Sequence, residues 1–404
     1  MTGFDRLITF DEAIARFRSA KWNSVPVETL KTQDSANRIS ADDVIAGEES
    51  PPFNRSAVDG YAVIATDVSG TSEYNFIDLK VDGEIEAGNV PGRSLESGHA
   101  YEIYTGAELP AGADAIVMAE YAERSGEFVR IFRSVRKYEN VSRAGEEISA
   151  GQVIIRKGGM IRAQHVASAI AVGINKMKVF SKIRLGVLST GNEIMPEGRI
   201  RNTTQPLLLS YFSTGYTDTL DLGVVPDDME NIKASLTKGI GVSDVVVITG
   251  GTSLGAYDLV ADVLDGMGDM VFGGVMMRPG RTISVYRAGG KPVFSVSGLP
   301  VAALISLEAF LDEYLSLCLG LKRPRIVIRA AMSERVANRD GMRSYLRVRL
   351  RNTENGLVAD PLRISGSGIL SSLLLSNGIA VISEKREGFE EGEIVDVTLT
   401  GDVY

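Results

Sequence analysis

Near the N-terminus the apolar positions Ala13, Ile14 and Phe17 fall on one helical face and predict a helix, followed by a polar link and a second helical start at Ile39-Ser40-Ala41-Asp42-Asp43. From Pro51 to about Ser142 the texture changes to short alternating stretches broken by Gly and Asn, such as YAVIAT, AYEIYTG, DAIVMAE and FVRIFRSV, which is strand-and-turn chemistry. Residues 143 to 178 return to a helical pattern, clearest in RAQHVASAIAVGI. The β-rich block therefore reads as an insertion between two parts of one elongated helical domain. From Ile183 to Leu321 strands and helices alternate. IRLGVLST, TLDLGVV, DVVVITGG, MVFGGVMM and PVFSVSG are near-continuous apolar strands, and helices are expected through LLLSYFSTG, from Asp227-Asp228, from Tyr257 to Met267, and over 301 to 318. That pattern predicts a mostly parallel sheet covered by helices on both faces. After Lys322-Arg323-Pro324 the chain turns all-β again in SYLRVRL, GIAVIS and EIVDVTLTG, a small barrel or sandwich. The expected fold is thus multidomain α/β: an elongated helical domain (1–46 plus 141–178), an inserted β-rich domain (47–140), a ligand-binding α/β domain (179–322) and a C-terminal β-barrel domain (323–404).

Length supports several domains, because 404 residues exceed what one core normally organises. A net charge of -9 argues against a nucleic-acid partner, so an anionic ligand needs a local cluster of backbone N–H groups and arginines. No secretory leader is visible and no apolar run reaches the roughly 18 residues of a membrane span, so a cytoplasmic location without membrane contact is expected. The single cysteine, Cys318, sits in the apolar run LISLEAFLDEYLSLCLG and reads as a small buried hydrophobe. His99 follows Ser97-Gly98 in an expected turn and His165 sits within an expected helix, so neither a histidine zinc site nor a Ser-His-Asp triad is expected.

Ligands of an open parallel sheet bind beyond the carboxyl ends of the strands, where helix N-termini offer free N–H groups. Two loops fit. One is Ser189-Thr190-Gly191-Asn192-Glu193. The other is Thr249-Gly250-Gly251-Thr252-Ser253-Leu254-Gly255, closed by Tyr257-Asp258. Glycines admit an anion close to the backbone and hydroxyls add donors, although a tight strand-to-helix turn also needs glycine. Arg278-Pro279-Gly280-Arg281 places two arginines around a turn, a cationic cradle or a solvated corner. Glu193, Asp227 and Asp258 fall on the same sheet edge, where carboxylates beside an anion point to a bridging Mg²⁺ or to a polar group that they orient; each could equally cap a helix.

Seven segments, PPFNRSAVDGYA (51–62), TGAELPAGADAIVMAE (105–120), RAGEEI (143–148), STGNEI (189–194), TGGTSLGAYD (249–258), RPGRT (278–282) and GSGILSSLLLSNGIAVI (366–382), resemble in order the signatures of the MoeA and gephyrin E-domain family, the molybdopterin molybdenumtransferases. The resemblance covers essentially the whole chain and implies a four-domain layout with a MogA-like α/β domain. The implied reaction inserts molybdate or tungstate into adenylylated molybdopterin and releases AMP, with Mg²⁺ assisting. Asp59, Thr105, Glu147, Glu193, Asp227 and Asp258 match the family's functional acids and hydroxyl, and Glu193, Asp227 and Asp258 would hold the metal. Thr190, Gly191, Gly250, Gly251, Ser253, Gly255 and the turn Arg278, Pro279, Gly280, Arg281 would hold the pterin substrate. So would Ser297, Gly298 and Pro300, where the family reads PGNPVSA and this chain SGLPVAA. A second departure is Asn202-Thr203-Thr204, where the family has an Asp-Ser-Asn-like triplet and this chain lacks one carboxylate. The resemblance further implies a homodimer with a shared site and a MogA/MoaB-type adenylyltransferase as supplier. The two altered loops leave open a different class, a non-catalytic molybdopterin carrier or scaffold.

Overall fold

A computed structural model describes residues 7–250, 259–339, 341–354, 356–362 and 370–403. Helix α1, Phe10–Ser19, starts where Thr9 Oγ1 accepts from the Glu12 N–H at 3.2 Å, with acids in its first turn and arginines in its last, each favouring the helix dipole. Ala13 and Phe17 are fully buried, and Phe17 packs 4.9 Å from Trp22 and 6.2 Å from Phe310 between ring centroids. The α1 face thus enters the core of the α/β domain far downstream.

The second helical start expected at Ile39–Asp43 is instead extended: Ile39 bridges Met160 and Ser40 bridges Val179. The Ser40 hydroxyl donates to the Asp42 carbonyl (2.7 Å) and Asp43 accepts from the Lys157 N–H (2.7 Å). Ser and Asp bond their neighbours in turns as readily as they cap helices, and here the turn wins. Of residues 143–178, only Ala163–Ala171 (α2) is helical. Lys176–Phe180 pairs with Val27–Lys31, and Val153–Ile155 with Val44–Ile45. The inserted block is a six-stranded sheet ordered Ala115–Met118, Gly60–Val63, His99–Ile103, Ile77–Ile85, Phe128–Ile131, Ala122–Ser125. A Cβ on Gly60 would lie 2.0 Å from the Val117 carbonyl oxygen, so the glycine of SAVDGYA is what lets these strands approach.

The α/β domain is built on six strands, β1 (Ile183–Thr190), β2 (Thr217–Val225), β3 (Val245–Thr249), β4 (Asp269–Gly273), β5 (Ser284–Ala288) and β6 (Lys291–Val296), in the order β2-β1-β3-β6-β5-β4. The first four in that order run parallel, and β5 pairs antiparallel with both β6 and β4. Strand β5, absent from the expected pattern, forms a hairpin with β6 through Gly289 and Gly290, both at positive φ as a tight hairpin turn requires. Helices α3 (Thr204–Phe212) and α6 (Pro300–Leu319) share one core with α1; α4 (Met229–Val242) and α5 (Leu259–Asp265) cover the other face.

At the C-terminus, Arg343–Thr353 pairs antiparallel with Gly356–Pro361 and Gly378–Ile382, Ile394–Leu399 with Gly378–Ile382 and Val327–Met332, and Val327–Met332 parallel with Gly356–Pro361. The ring closes as a five-stranded barrel with its own core. Met277–Arg278 adds to it beside Arg343–Ser344, so the Arg-Pro-Gly-Arg turn of the α/β domain is moored to the barrel. Among the described residues no helix is long and apolar enough to cross a membrane.

Candidate active site

The carboxyl ends of β1, β3 and β6 converge, as the strand pattern anticipates. Thr190, 2% exposed at the end of β1, donates its hydroxyl to Asp227 Oδ1 at 2.7 Å. The Asn192 N–H donates to the other Asp227 oxygen (3.3 Å), and the Asp227 N–H donates back to Asn192 Oδ1 (3.2 Å). Asp227 is free for this because Asp228 caps α4, its Oδ1 accepting from the Glu230 N–H at 2.9 Å. Glu193 stands in the single helical turn Asn192–Ile194, its carboxylate folded towards Gly191, where a Cβ would lie 2.8 Å from Oε1. Ser189 and Thr249 hydroxyls bond at 2.8 Å across β1 and β3. Gly250 has φ +100°, and a Cβ there would sit 2.2 Å from the Thr190 carbonyl oxygen. Gly298 lies against Gly250, and its carbonyl accepts from the Thr204 hydroxyl at 2.5 Å. In the altered SGLP loop the Ser297 hydroxyl accepts from the Leu299 N–H (3.2 Å), with Pro300 opening α6. Gly251, Ser253, Gly255 and Asp258 lie outside the described residues.

On the moored turn, Pro279 follows a cis peptide bond and Gly280 has φ +97°, where a Cβ would strike Ser306 at 2.5 Å; Arg281 is exposed. Arg278 faces a residue the sequence reading missed, Arg347 of the barrel, only 2% exposed. Its Nε donates to the Ser372 hydroxyl (3.3 Å) and another guanidinium nitrogen to the Tyr345 carbonyl (3.1 Å). Burial first, and the nearby Arg278 charge second, hold the Arg347 pKa below its usual value. The two guanidiniums line a small cavity with Ser344, Tyr345 and Ile382.

The remaining residues form two other groups. Asp59 Oδ1 accepts from the Thr105 N–H (2.7 Å) and hydroxyl (2.8 Å), and these bonds, the backbone one foremost, hold its carboxyl below the usual carboxylate range. Glu147 pairs with Arg55 at 2.9 Å and accepts from the Ser50 hydroxyl at 3.3 Å. Asp59 and Thr105 stand on the cores of the inserted sheet, Thr190, Glu193 and Asp227 on those of the α/β domain. No group of three or more His, Cys, Asp or Glu gathers among the described residues; His99 pairs with Asp82 (2.7 Å) and His165 accepts from the Arg162 N–H (3.0 Å).

Three family descriptions match in chain order: "MoeA N-terminal region (domain I and II)" over residues 8–173, "Probable molybdopterin binding domain" over 186–316, and "MoeA C-terminal region (domain IV)" over 329–400. A molybdopterin molybdenumtransferase of Staphylococcus epidermidis is 30% identical over 380 residues, 92% of this chain and 90% of that one. The chain belongs to the MoeA family. The crystal structure of the molybdopterin biosynthesis MoeA protein from Pyrococcus horikoshii OT3 superposes with a TM-score of 0.82 at 32% identity, covering 98% of this chain and 100% of the other. MoeA relatives in Staphylococcus aureus are 29% identical over 401 residues, again under the name molybdopterin molybdenumtransferase. Within this MoeA chain the match to the molybdopterin-binding description spans the convergent loops after β1, β3 and β6, while Arg347 falls in the match to the C-terminal region.

Proposed function

We propose that this MoeA family member is a molybdopterin molybdenumtransferase, which joins molybdate or tungstate to adenylylated molybdopterin and releases AMP. The observation that carries the reading is the cradle at the sheet edge. Thr190, Gly250 and Gly298 bring three loops within contact, the absent Cβ atoms let those backbones meet at the strand ends, where loop N–H groups suit an anion, and Asp227 is oriented by two donors. The facing guanidiniums of Arg278 and Arg347 suit a tetrahedral dianion, because guanidinium N–H groups are strong donors to an oxyanion. The substrate's phosphates would lie over the cradle and the oxyanion beside the arginine pair, each held by groups that prefer negative charge.

Glu193 and Asp227 offer hard oxygen ligands on either side of Gly191–Asn192, the donor set Mg²⁺ prefers, with Asp258 as the third carboxylate. Mg²⁺ bound there would neutralise the charge that develops on the departing phosphate. The protein's own part is to orient: Thr190 and Asn192 fix the Asp227 carboxylate, and Asp59 with Thr105 supply an ionised acid held ready by two donors. We further assign a cytoplasmic homodimer in which one subunit's Asp59–Thr105 pair faces the other's cradle, and a MogA/MoaB-type adenylyltransferase as the supplier of substrate.

AMP release is measured from adenylylated molybdopterin with and without Mg²⁺ and molybdate. Turnover should require both, and Asp227→Ala should lower it by roughly 100-fold with little loss of stability, since an oriented charge at the reacting centre is worth several kcal/mol. Tight substrate binding without AMP release in any of these mixtures would instead establish a carrier.

A further inference from the structure

We infer that Gln205, oriented by Asn202, is a positioning residue that sets the register of the end of β2 and so the place of Asp227; the inference rests on Asp227 serving the reaction proposed above. The pairing of β1 with β2 runs to Val187 opposite Asp221 and resumes with Ser189 opposite Val224, so β2 carries one residue more than β1 across this step. Gly223 takes up the extra residue at φ +85°. Strand β2 is an edge strand, where a bulge has no second neighbour to hold it.

It is held from α3. Gln205, 4% exposed in the first turn of that helix, directs its Nε2 to the Val187 carbonyl of β1 (3.0 Å), the Gly223 carbonyl of β2 (3.0 Å) and Asp221 Oδ1 (2.8 Å). Asp221 also accepts from the Gly223 N–H at 2.8 Å, closing the bulge on itself. All three partners are oxygens, so the amide must present its NH₂ and not its carbonyl. Asn202 makes that choice: its Nδ2 donates to Gln205 Oε1 (2.9 Å), while its Oδ1 accepts from the Gln205 backbone N–H (3.2 Å). An aspartate at 202 would keep the second bond and set an oxygen against Oε1. The carboxylate missing from the Asn202-Thr203-Thr204 triplet is thus replaced by the amide that this arrangement needs.

Beyond the bulge, the Val225 carbonyl accepts from the Gly191 N–H (3.3 Å), and two residues on Asp227 meets the Thr190 hydroxyl. Loss of the bulge would move this segment by one residue, about 3.3 Å along the strand, more than the 2.7 Å Thr190–Asp227 bond can absorb.

Three full-length variants test this: Gln205→Glu, Gln205→Leu and Asn202→Asp. AMP release by Gln205→Glu at pH 8 should fall at least about tenfold, because a small misplacement at a catalytic group is costly. It should recover as the pH drops to 6, since a protonated glutamic acid regains one donor among the three oxygens. Gln205→Leu should fall without recovery at any pH. Asn202→Asp, which leaves volume and Gln205 unchanged, should also fall. A rise in Asn202→Asp, or identical pH profiles for Gln205→Glu and wild type, overturns the inference. A crystal structure of Asn202→Asp or Gln205→Leu reads the register directly: Gly223 opposite Ser189 supports it, and Val224 opposite Ser189 with the Thr190–Asp227 bond intact refutes it. If the wild type releases no AMP, the proposed reaction fails while the register still decides the inference.

Discussion

Arg347 is a guanidinium almost wholly removed from water, and the positive charge nearest to it in effect is another arginine, Arg278. Burying a cation beside a like charge costs stability, so a methionine of similar length should be tolerated or should stabilise. Arg347→Met is therefore expected to melt at or above the wild-type temperature, while the molybdate concentration for half-maximal AMP release rises at least about tenfold, the loss expected for a charged hydrogen bond. A drop in melting temperature with unchanged oxyanion dependence would make Arg347 structural. This residue was not legible in the sequence because SYLRVRL reads as plain alternation, and alternation cannot tell which arginine of a strand meets another domain. The acids were legible by type and edge, but spacing alone could not separate Asp228, which caps α4, from Asp227, which is left for the site. Cys318 behaves as its apolar run suggests: it is partly buried against the core, and burial pushes its thiol up to about 11. Alkylation at pH 8 should thus be roughly 100-fold slower in the native chain than in the unfolded one, because the thiolate is the reacting form; equal rates would contradict the burial.

At the level of elements, the parallel strands and their helices could be read directly, because a strand buried on both faces is continuously apolar and has few rivals as a pattern. Short ribbons could not. Lys176–Phe180 alternates exposed and buried positions, yet beside the real helix α2 its apolar residues merge into one apparent helical stretch. Strand β5 carried a usable signal in Gly289-Gly290, the two-residue hairpin turn between apolar runs. The partner of α1 was not legible at all, since its amphipathic face names no destination, and the destination is a core formed mainly by residues 180–321. That placement predicts a large effect for a residue remote in sequence from the sheet. Phe17→Ala should cost about 3–5 kcal/mol, as deletion of a buried aromatic ring does, and should lower the urea midpoint of the α/β domain. A midpoint within error of wild type would show that α1 contributes little to that core. In the described part of the GSGILSSLLLSNG stretch, Ser372 is buried against Arg347 and Leu373 packs on the large core, whereas Leu374 and Leu375 are exposed.

For the whole molecule the question is how residues carried by separate cores can serve one reaction. Asp59 and Thr105 are bonded to each other on the inserted sheet, and Thr190 and Asp227 to each other at the edge of the α/β sheet. Residues 141–178, with α2 and paired ribbons, intervene in the chain between the two. If this spacer keeps the groups apart within one chain, a partner chain must bring them together, and a two-fold dimer does so twice with one kind of contact. The test mixes two inactive variants, Asp59→Ala and Asp227→Ala, under conditions that let subunits exchange. Random mixing makes about half of the dimers heterodimers. In each of these, one site combines the intact acids of both chains and the other combines both lesions, so about one quarter of all sites regain function, whereas either variant alone stays inactive. Activity rising towards that level over the time of exchange, with exchange followed separately by mass spectrometry of a labelled subunit, requires a site shared between chains. If the subunits exchange fully and AMP release stays at the level of the separate variants, each site is contained within one chain, and the two groups must then meet by a rotation of the inserted sheet towards its own α/β domain.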